Sequence, residues 1–196
     1  MKKYNDVFLY KLTRPIITFL FKVLYRPKIV GVNNIPKKGR IILAGNHNHN
    51  LDGAFLISST KRNIHFLAKI ELFKGIKKIF FNNMGLIPVD RSKKNKKSLE
   101  MAYEYLNNGK VIGIFPEGTF GKGKILPFKL GAVKMAYETK SEIIPFVITG
   151  DFKMFSKNLK IQFGNPIKIT SNDLEKENEN LRNIVVKMVS DSNEYI

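Results

Sequence analysis

Cysteine does not occur in this chain of 196 residues. Its absence excludes a disulfide framework, a cysteine nucleophile and any thiolate metal site, and it suits a reducing compartment. Histidine is scarce, with three residues. Acids number 16 against 34 lysines and arginines, which leaves a net charge of +18. Such a surface attracts polyanions: nucleic acid, anionic lipid headgroups or an acidic carrier protein. No run reaches the roughly 20 apolar residues that a bilayer-spanning helix needs. The basic N-terminus is interrupted early by Asp6 and shows no small-residue cleavage site, so it does not read as a signal peptide. No G-x-S-x-G elbow, zinc-finger spacing, RNP-like aromatic block or helix-turn-helix signal is present.

What is present describes a globular chain of one domain: 43% hydrophobic residues and 15 phenylalanines. Residues 1–27 form a segment apart. Over 4–26, Lys11, Arg14, Thr18, Lys22 and Arg26 recur every three or four residues and draw one basic stripe on a helix otherwise rich in Phe, Leu, Ile and Val. Pro15 is expected to split or kink this helix and Pro27 to end it. A wide apolar arc beside a basic stripe fits a helix lying in a membrane interface. The plainer alternative is a terminal helix packed on the domain.

From residue 28 to 196 strand and helix patterns alternate. Strands are expected at 28–32, 40–46, 64–69, 85–90, 110–118, 142–150 and 159–164, and helices at 52–60, 71–83, 96–109, 128–140 and 170–191. This order predicts an α/β sandwich around a mostly parallel sheet with helices on both faces. Ligands in such sheets sit beyond the carboxyl ends of the strands.

Three strand ends carry chemistry. "GNHNHNLDG" (45–53) places His47 five residues before Asp52, close enough for the carboxylate to fix the imidazole tautomer, as a general base requires. Asp52 could instead cap the following helix, and His47 could be a solvated loop residue. "GLIPVDR" (85–91) ends in Arg91, whose fork suits a phosphate, although a basic loop is the plainer reading. "FPEGTFGKGK" (115–124) supplies Glu117, Gly118 and Thr119, with Lys122 and Lys124 beside a glycine-rich, anion-accepting turn. "IIPF" (143–146) adds a fourth block, also expected at a strand end.

These four blocks, in this order, resemble those of the glycerolipid acyltransferases, in particular the 1-acylglycerol-3-phosphate O-acyltransferases. The resemblance runs over roughly residues 28–150 and extends through "GKILPFKLGAVKMA". It implies that His47 deprotonates an acceptor hydroxyl, that Asp52 orients it, and that Arg91 binds the acceptor phosphate. It also implies that Glu117 and Gly118 hydrogen-bond the glycerol part. The donor would be acyl-CoA or acyl carrier protein, the acceptor lysophosphatidic acid, and the product phosphatidic acid. The hydroxyl would attack the thioester directly, with no resident cofactor or metal. The site of action would be an anionic membrane surface on the cytoplasmic face of the cell membrane, the protein being peripheral or monotopic.

Two positions depart from the family pattern. His49 stands where Ser is usual, two residues past the catalytic histidine, and Phe120 stands where Arg commonly follows the threonine. The loss of that Arg leaves Lys122 or Lys124 to compensate and opens the acceptor's identity to another lysolipid or glycerol 3-phosphate. Two readings compete from outside the family. One is a metallohydrolase using His47, His49 and Asp52, for which further ligands are short. The other is a nucleic-acid-binding module, for which only the charge speaks and no recognition motif does; no nucleic-acid partner is expected.

Overall fold

The computed structural model describes residues 8–75, 77–90 and 96–193. In chain order these form α1 (Phe8–Leu24), β1 (Lys28–Val30), β2 (Ile41–Gly45), α2 (Asp52–Ser58), β3 (Ile64–Lys69), α3 (Lys77–Asn83) and β4 (Ile87–Val89). There follow α4 (Lys96–Asn107), β5 (Val111–Ile114), α5 (Gly131–Thr139), β6 (Glu142–Thr149), β7 (Lys160–Phe163), β8 (Ile167–Lys168) and α6 (Leu174–Asn193). One sheet runs in the order β1-β7-β6-β2-β5-β3-β4, with β8 beside β6. Among the described residues, only the β6–β7 and β6–β8 pairs are antiparallel. The mostly parallel α/β sandwich expected from the sequence is therefore the observed fold.

Alternation within the central strands explains both layers. In β2, Ile41 and Leu43 point to one face and Ile42 and Ala44 to the other, and all four are buried. The first face packs on Tyr10 and Phe21 of α1 and on Phe55 and Leu56 of α2. The second packs on Ala102 and Leu106 of α4, on the apolar side of α5, and on Leu181 and Val185 of α6. A parallel sheet covered on both faces needs such continuous apolar runs.

Several boundaries moved for local reasons. The helix expected over 71–83 is a 3-10 turn at Ile70–Phe73 followed by α3, with Gly75 at φ +56° between them. The helix expected from residue 128 begins only at Gly131, because the Lys129 amide bonds the Pro116 carbonyl (3.0 Å) and holds that stretch to the end of β5. "IIPF" lies inside β6 rather than at its end. Pro145 falls where β6 changes partner: Phe146–Thr149 pair with β7, and Glu142 and Ile143 pair with β8. A residue with no N–H to donate fits at that gap. The two-residue β8 was not anticipated.

Helix α1 runs through Pro15 without a break, so the expected split does not occur. Its inner side is part of the core. The Tyr10 hydroxyl accepts the Ile64 amide at 3.0 Å, and the Phe21 ring stacks on Phe55 with centroids 5.4 Å apart. Its outer side leaves Phe8, Leu12, Ile16, Phe19, Leu20 and Val23 exposed. Among the described residues, no helix is long and apolar enough to cross a membrane.

β2 ends at Gly45, yet pairing with β6 continues for one more step through a side chain. Asn46 Nδ2 donates to the Ile148 carbonyl (2.8 Å), and the Ile148 amide donates to Asn46 Oδ1 (2.7 Å). Asn46 is buried, so water does not replace these bonds. Asn46→Ala orphans a buried N–H and a buried C=O, and is expected to cost about 2–4 kcal/mol, read as a lowered urea midpoint. An unchanged midpoint would show that the bridge does not hold the strand end.

Candidate active site

The loop after β2 folds around one carboxylate oxygen. Asp52 Oδ2 accepts the Asn48 amide (2.7 Å), the His49 amide (2.8 Å) and, at 2.9 Å, His47 Nδ1. Asp52 is 1% exposed. Its carboxylate therefore turns back into the loop instead of capping α2, and that helix has no side-chain cap. With an acceptor-only partner, Nδ1 carries the proton and Nε2 on the opposite edge is left as the base.

Two rings fix the imidazole plane. Phe115 stacks on His47 with centroids 4.1 Å apart and planes 16° apart, and Phe120 leans on it at 4.5 Å and 58°. The His47 side chain stays 21% exposed and lines a cleft of about 750 Å³. Parallel order brings the carboxyl ends of β2, β5, β3 and β4 to one edge of the sheet, and the cleft lies there. Leu67, Val89, Leu99, Ile114 and Phe115 give it apolar walls, and Lys69, Lys96, Lys129 and Lys134 give it positive charge. Such a cleft accommodates a molecule with a hydrocarbon part and an anionic part.

Glu117 has a different task from the one expected. It is 4% exposed, and both carboxylate oxygens serve main-chain amides: Oε1 accepts from His47 (2.9 Å) and Oε2 from Leu126 (2.9 Å). It is a strut between the loop that carries His47 and the loop after β5. Burial pushes its carboxyl above the usual range, against the lowering effect of the two amides and of His47. Gly121 completes the joint: its amide donates to the His47 carbonyl (2.8 Å), and a Cβ there would lie 2.7 Å from Glu117 Oε2 and 2.0 Å from the Lys124 carbonyl. No side chain fits that approach.

Of the other expected substrate ligands, Gly118 lines the cleft beneath the Lys129 side chain. Thr119, Lys122 and Lys124 are exposed and do not line it. Arg91 lies outside the described residues. The four cleft lysines were not singled out in the sequence, where nothing separates them from the other basic residues; only the neighbouring strand ends gather them.

The comparisons with known proteins agree with this geometry. The acyltransferase family model matches residues 26–149. The chain belongs to the acyltransferase family. A 1-acyl-sn-glycerol-3-phosphate acyltransferase of Borreliella burgdorferi is 33% identical over 80% of this chain and 67% of its own length. The protein of that name from Bacillus subtilis is 30% identical over 71% of this chain and 73% of its own. A probable one from Mycoplasma pneumoniae is 32% identical, and the alignment spans 60% of its length. The crystal structure of the 1-acyl-sn-glycerophosphate acyltransferase PlsC from Thermotoga maritima superimposes with a TM-score of 0.75 at 23% identity, covering 93% of this chain and 77% of that one. That likeness establishes the shared fold.

In this acyltransferase the two departures from the family pattern have structural tasks. Phe120 covers one side of the His47 ring. His49 stacks on Phe152 at 4.5 Å, and its Nδ1 accepts the Leu51 amide (3.2 Å). The third histidine, His65, is buried against Tyr105 and donates from Nδ1 to the Gly85 carbonyl (2.8 Å). Among the described residues, no three His, Asp or Glu side chains cluster as a metal site.

Glu117→Gln replaces one acceptor oxygen by a donor that faces an N–H. It should cost about 1–3 kcal/mol and loosen the His47 loop, lowering kcat more than it raises KM. The pH dependence has a definite sign. With its pKa raised by folding, wild-type Glu117 holds its proton to higher pH in the native state than in the unfolded chain. The stability advantage of wild type over Glu117→Gln therefore shrinks as pH rises above the ordinary value of 4.5. Thermal melts of both proteins across that range test this, and a widening gap would show that the two amide bonds outweigh burial in setting the carboxyl's titration.

Proposed function

We propose that this enzyme moves a fatty acyl group from a thioester donor, acyl-CoA or acyl carrier protein, to the sn-2 hydroxyl of lysophosphatidic acid, giving phosphatidic acid. The observation that carries the proposal is the His47–Asp52 pair, 2.9 Å apart, opening into a cleft with apolar walls and four lysines. The names of the three relatives, all 1-acyl-sn-glycerol-3-phosphate acyltransferases, one of them a probable one, support the choice of acceptor.

The chemistry follows from the ring's setting. Nε2 of His47 takes the proton of the acceptor hydroxyl as its oxygen attacks the thioester carbonyl. The tetrahedral intermediate collapses, the C–S bond breaks, and the imidazolium returns the proton to the leaving sulfur, which restores the neutral base. The products are the ester and the free thiol. Asp52 keeps the tautomer and orientation throughout and steadies the transient imidazolium. The cleft lysines supply point charges for the acceptor phosphate. Arg91 is kept as a further phosphate ligand in this proposal: β4 ends at Val89 in the cleft wall, and Arg91 is two residues further along the chain. No cofactor or metal is assigned a part beyond the thioester co-substrate.

We place the reaction at an anionic membrane on its cytoplasmic side. Support comes from the exposed apolar side of α1, the basic residues beside it and the +18 charge. Because the inner side of α1 belongs to the core, point substitutions rather than removal of the segment are the informative changes.

His47→Ala is expected to lower kcat by about 10²–10⁴-fold in thioester-dependent acylation of lysophosphatidic acid, with the folded state retained at the assay temperature by circular dichroism. Asp52→Asn, which keeps shape and loses charge, should also lose activity. Comparable turnover in wild type and His47→Ala, at matched folding, would remove His47 from the mechanism, whereas no acylation of lysophosphatidic acid by wild type would overturn the proposed reaction.

A further inference from the structure

The segment between β6 and β7 carries a surface feature that the acyl-transfer chemistry does not use. Residues 150–159 read "GDFKMFSKNL". At its tip Met154 is 57% exposed and Phe155 60% exposed, two adjacent large apolar side chains in solvent. Lys153 and Lys157 flank them, both exposed, and Asp151 at the base is the segment's one acid.

The tip is built, not loose. Its neck is pinched: a Cβ on Gly150 would lie 2.0 Å from the Asn158 carbonyl oxygen. Ser156 Oγ donates to the Lys153 carbonyl at 2.8 Å and closes the turn. Phe155 and Lys157 adopt φ of 63° and 62°, a region unfavourable for residues with a Cβ. The fold thus spends local backbone energy on a turn that presents an aromatic ring to solvent, a pattern that points to function.

The tip is also joined to α1. The Phe155 amide donates to the Leu24 carbonyl at 2.6 Å, at the C-terminal end of that helix. The outer stripe of α1, Leu12, Ile16, Phe19, Leu20 and Val23, leads to the same end. Lys22 and Arg26, both exposed, flank it. At the base of the tip Phe152 turns inward. Its ring meets Phe21 and Tyr25 edge-on, at 6.4 and 5.8 Å, and stacks on His49 of the catalytic loop.

We propose that Met154 and Phe155 form a second membrane-inserting element, a finger that enters the headgroup–acyl boundary of an anionic bilayer beside the C-terminal end of α1. Apolar side chains framed by lysines match a surface that is anionic outside and hydrocarbon within. A water-soluble protein partner would leave the lysine frame and the continuity with the α1 stripe unexplained. Through Phe152 and His49 the finger is one stacking contact from the loop that carries His47, so insertion would seat the active site at the depth where a lysolipid's headgroup lies. The inference rests on the interfacial reading of α1 and adds an element to it.

The natural chain contains no tryptophan, so a single introduced indole reports one position. The full chain carrying Phe155→Trp is mixed with vesicles of phosphatidylcholine with or without phosphatidylglycerol. The expected result is a blue shift and quenching by brominated acyl chains, with anionic vesicles only. A separate Phe19→Trp protein reports α1. Insertion at position 19 with an indole at 155 still open to aqueous acrylamide would overturn the finger and leave the α1 reading standing. No insertion at either position would overturn both. A blue shift at 155 that grows with protein concentration without vesicles would mark self-association and also overturn the proposal. Met154→Ser combined with Phe155→Ser should lower the vesicle partition coefficient at least about tenfold, as expected for withdrawing two apolar side chains from the boundary. Its turnover of detergent-dispersed acceptor should match wild type.

Discussion

One buried oxygen organises the candidate active site of this molecule. Asp52 Oδ2 gathers two main-chain amides and the His47 ring, all within 2.9 Å. A carboxylate can accept several donors at once, and donors converging on its negative charge make stronger bonds than neutral pairs do. The same contacts that close the loop therefore set the tautomer of His47. Loop folding and orientation of the His47 ring are one event here, which is why an acid five residues after the histidine suffices without an approach from a distant element.

The second constraint is the junction between this loop and the one after β5. Glu117 joins the His47 amide to the Leu126 amide, and Gly121 returns a bond to the His47 carbonyl. Glu117 and Gly121 are buried, so water competes little for these bonds and losing one of them leaves a polar atom unpaired. The blocks at the ends of β2 and β5 are in effect one structure, with Phe115 and Phe120 closing on either side of the imidazole. Binding falls to the cleft itself, where charge comes from lysines contributed by different elements.

Helix α1 links this site to the surface. Its inner side is buried against α2 and β3 while its outer side remains apolar and exposed. The two readings the sequence allowed for this segment are compatible because they concern opposite sides of one helix. The β6–β7 tip extends the exposed apolar surface at the helix end, and the Phe152 ring ties it back to His49.

Much was legible without coordinates. Apolar strands alternating with amphipathic helices announced the α/β sandwich, because burial of a parallel sheet on both faces demands that pattern. The His47–Asp52 pairing was legible because it is local: five residues of chain can only bend a short way. Glu117 was not, because its partners lie 70 and 9 residues away and a glutamate inside a basic, glycine-rich loop reads equally well as a ligand. The cleft lysines were hidden among 34 basic residues. Pro145 looked like the end of a strand, and only the change of partner from β7 to β8 shows why a proline is tolerated inside one. The sequence by itself determined the layers, the order of the motifs along the chain and the His47–Asp52 pairing, since periodicity and short-range geometry are written in neighbouring residues. The tertiary structure decided which carboxylate is a strut, which cations face the cleft and which aromatic rings stay in solvent, because those depend on contacts between segments far apart in the chain.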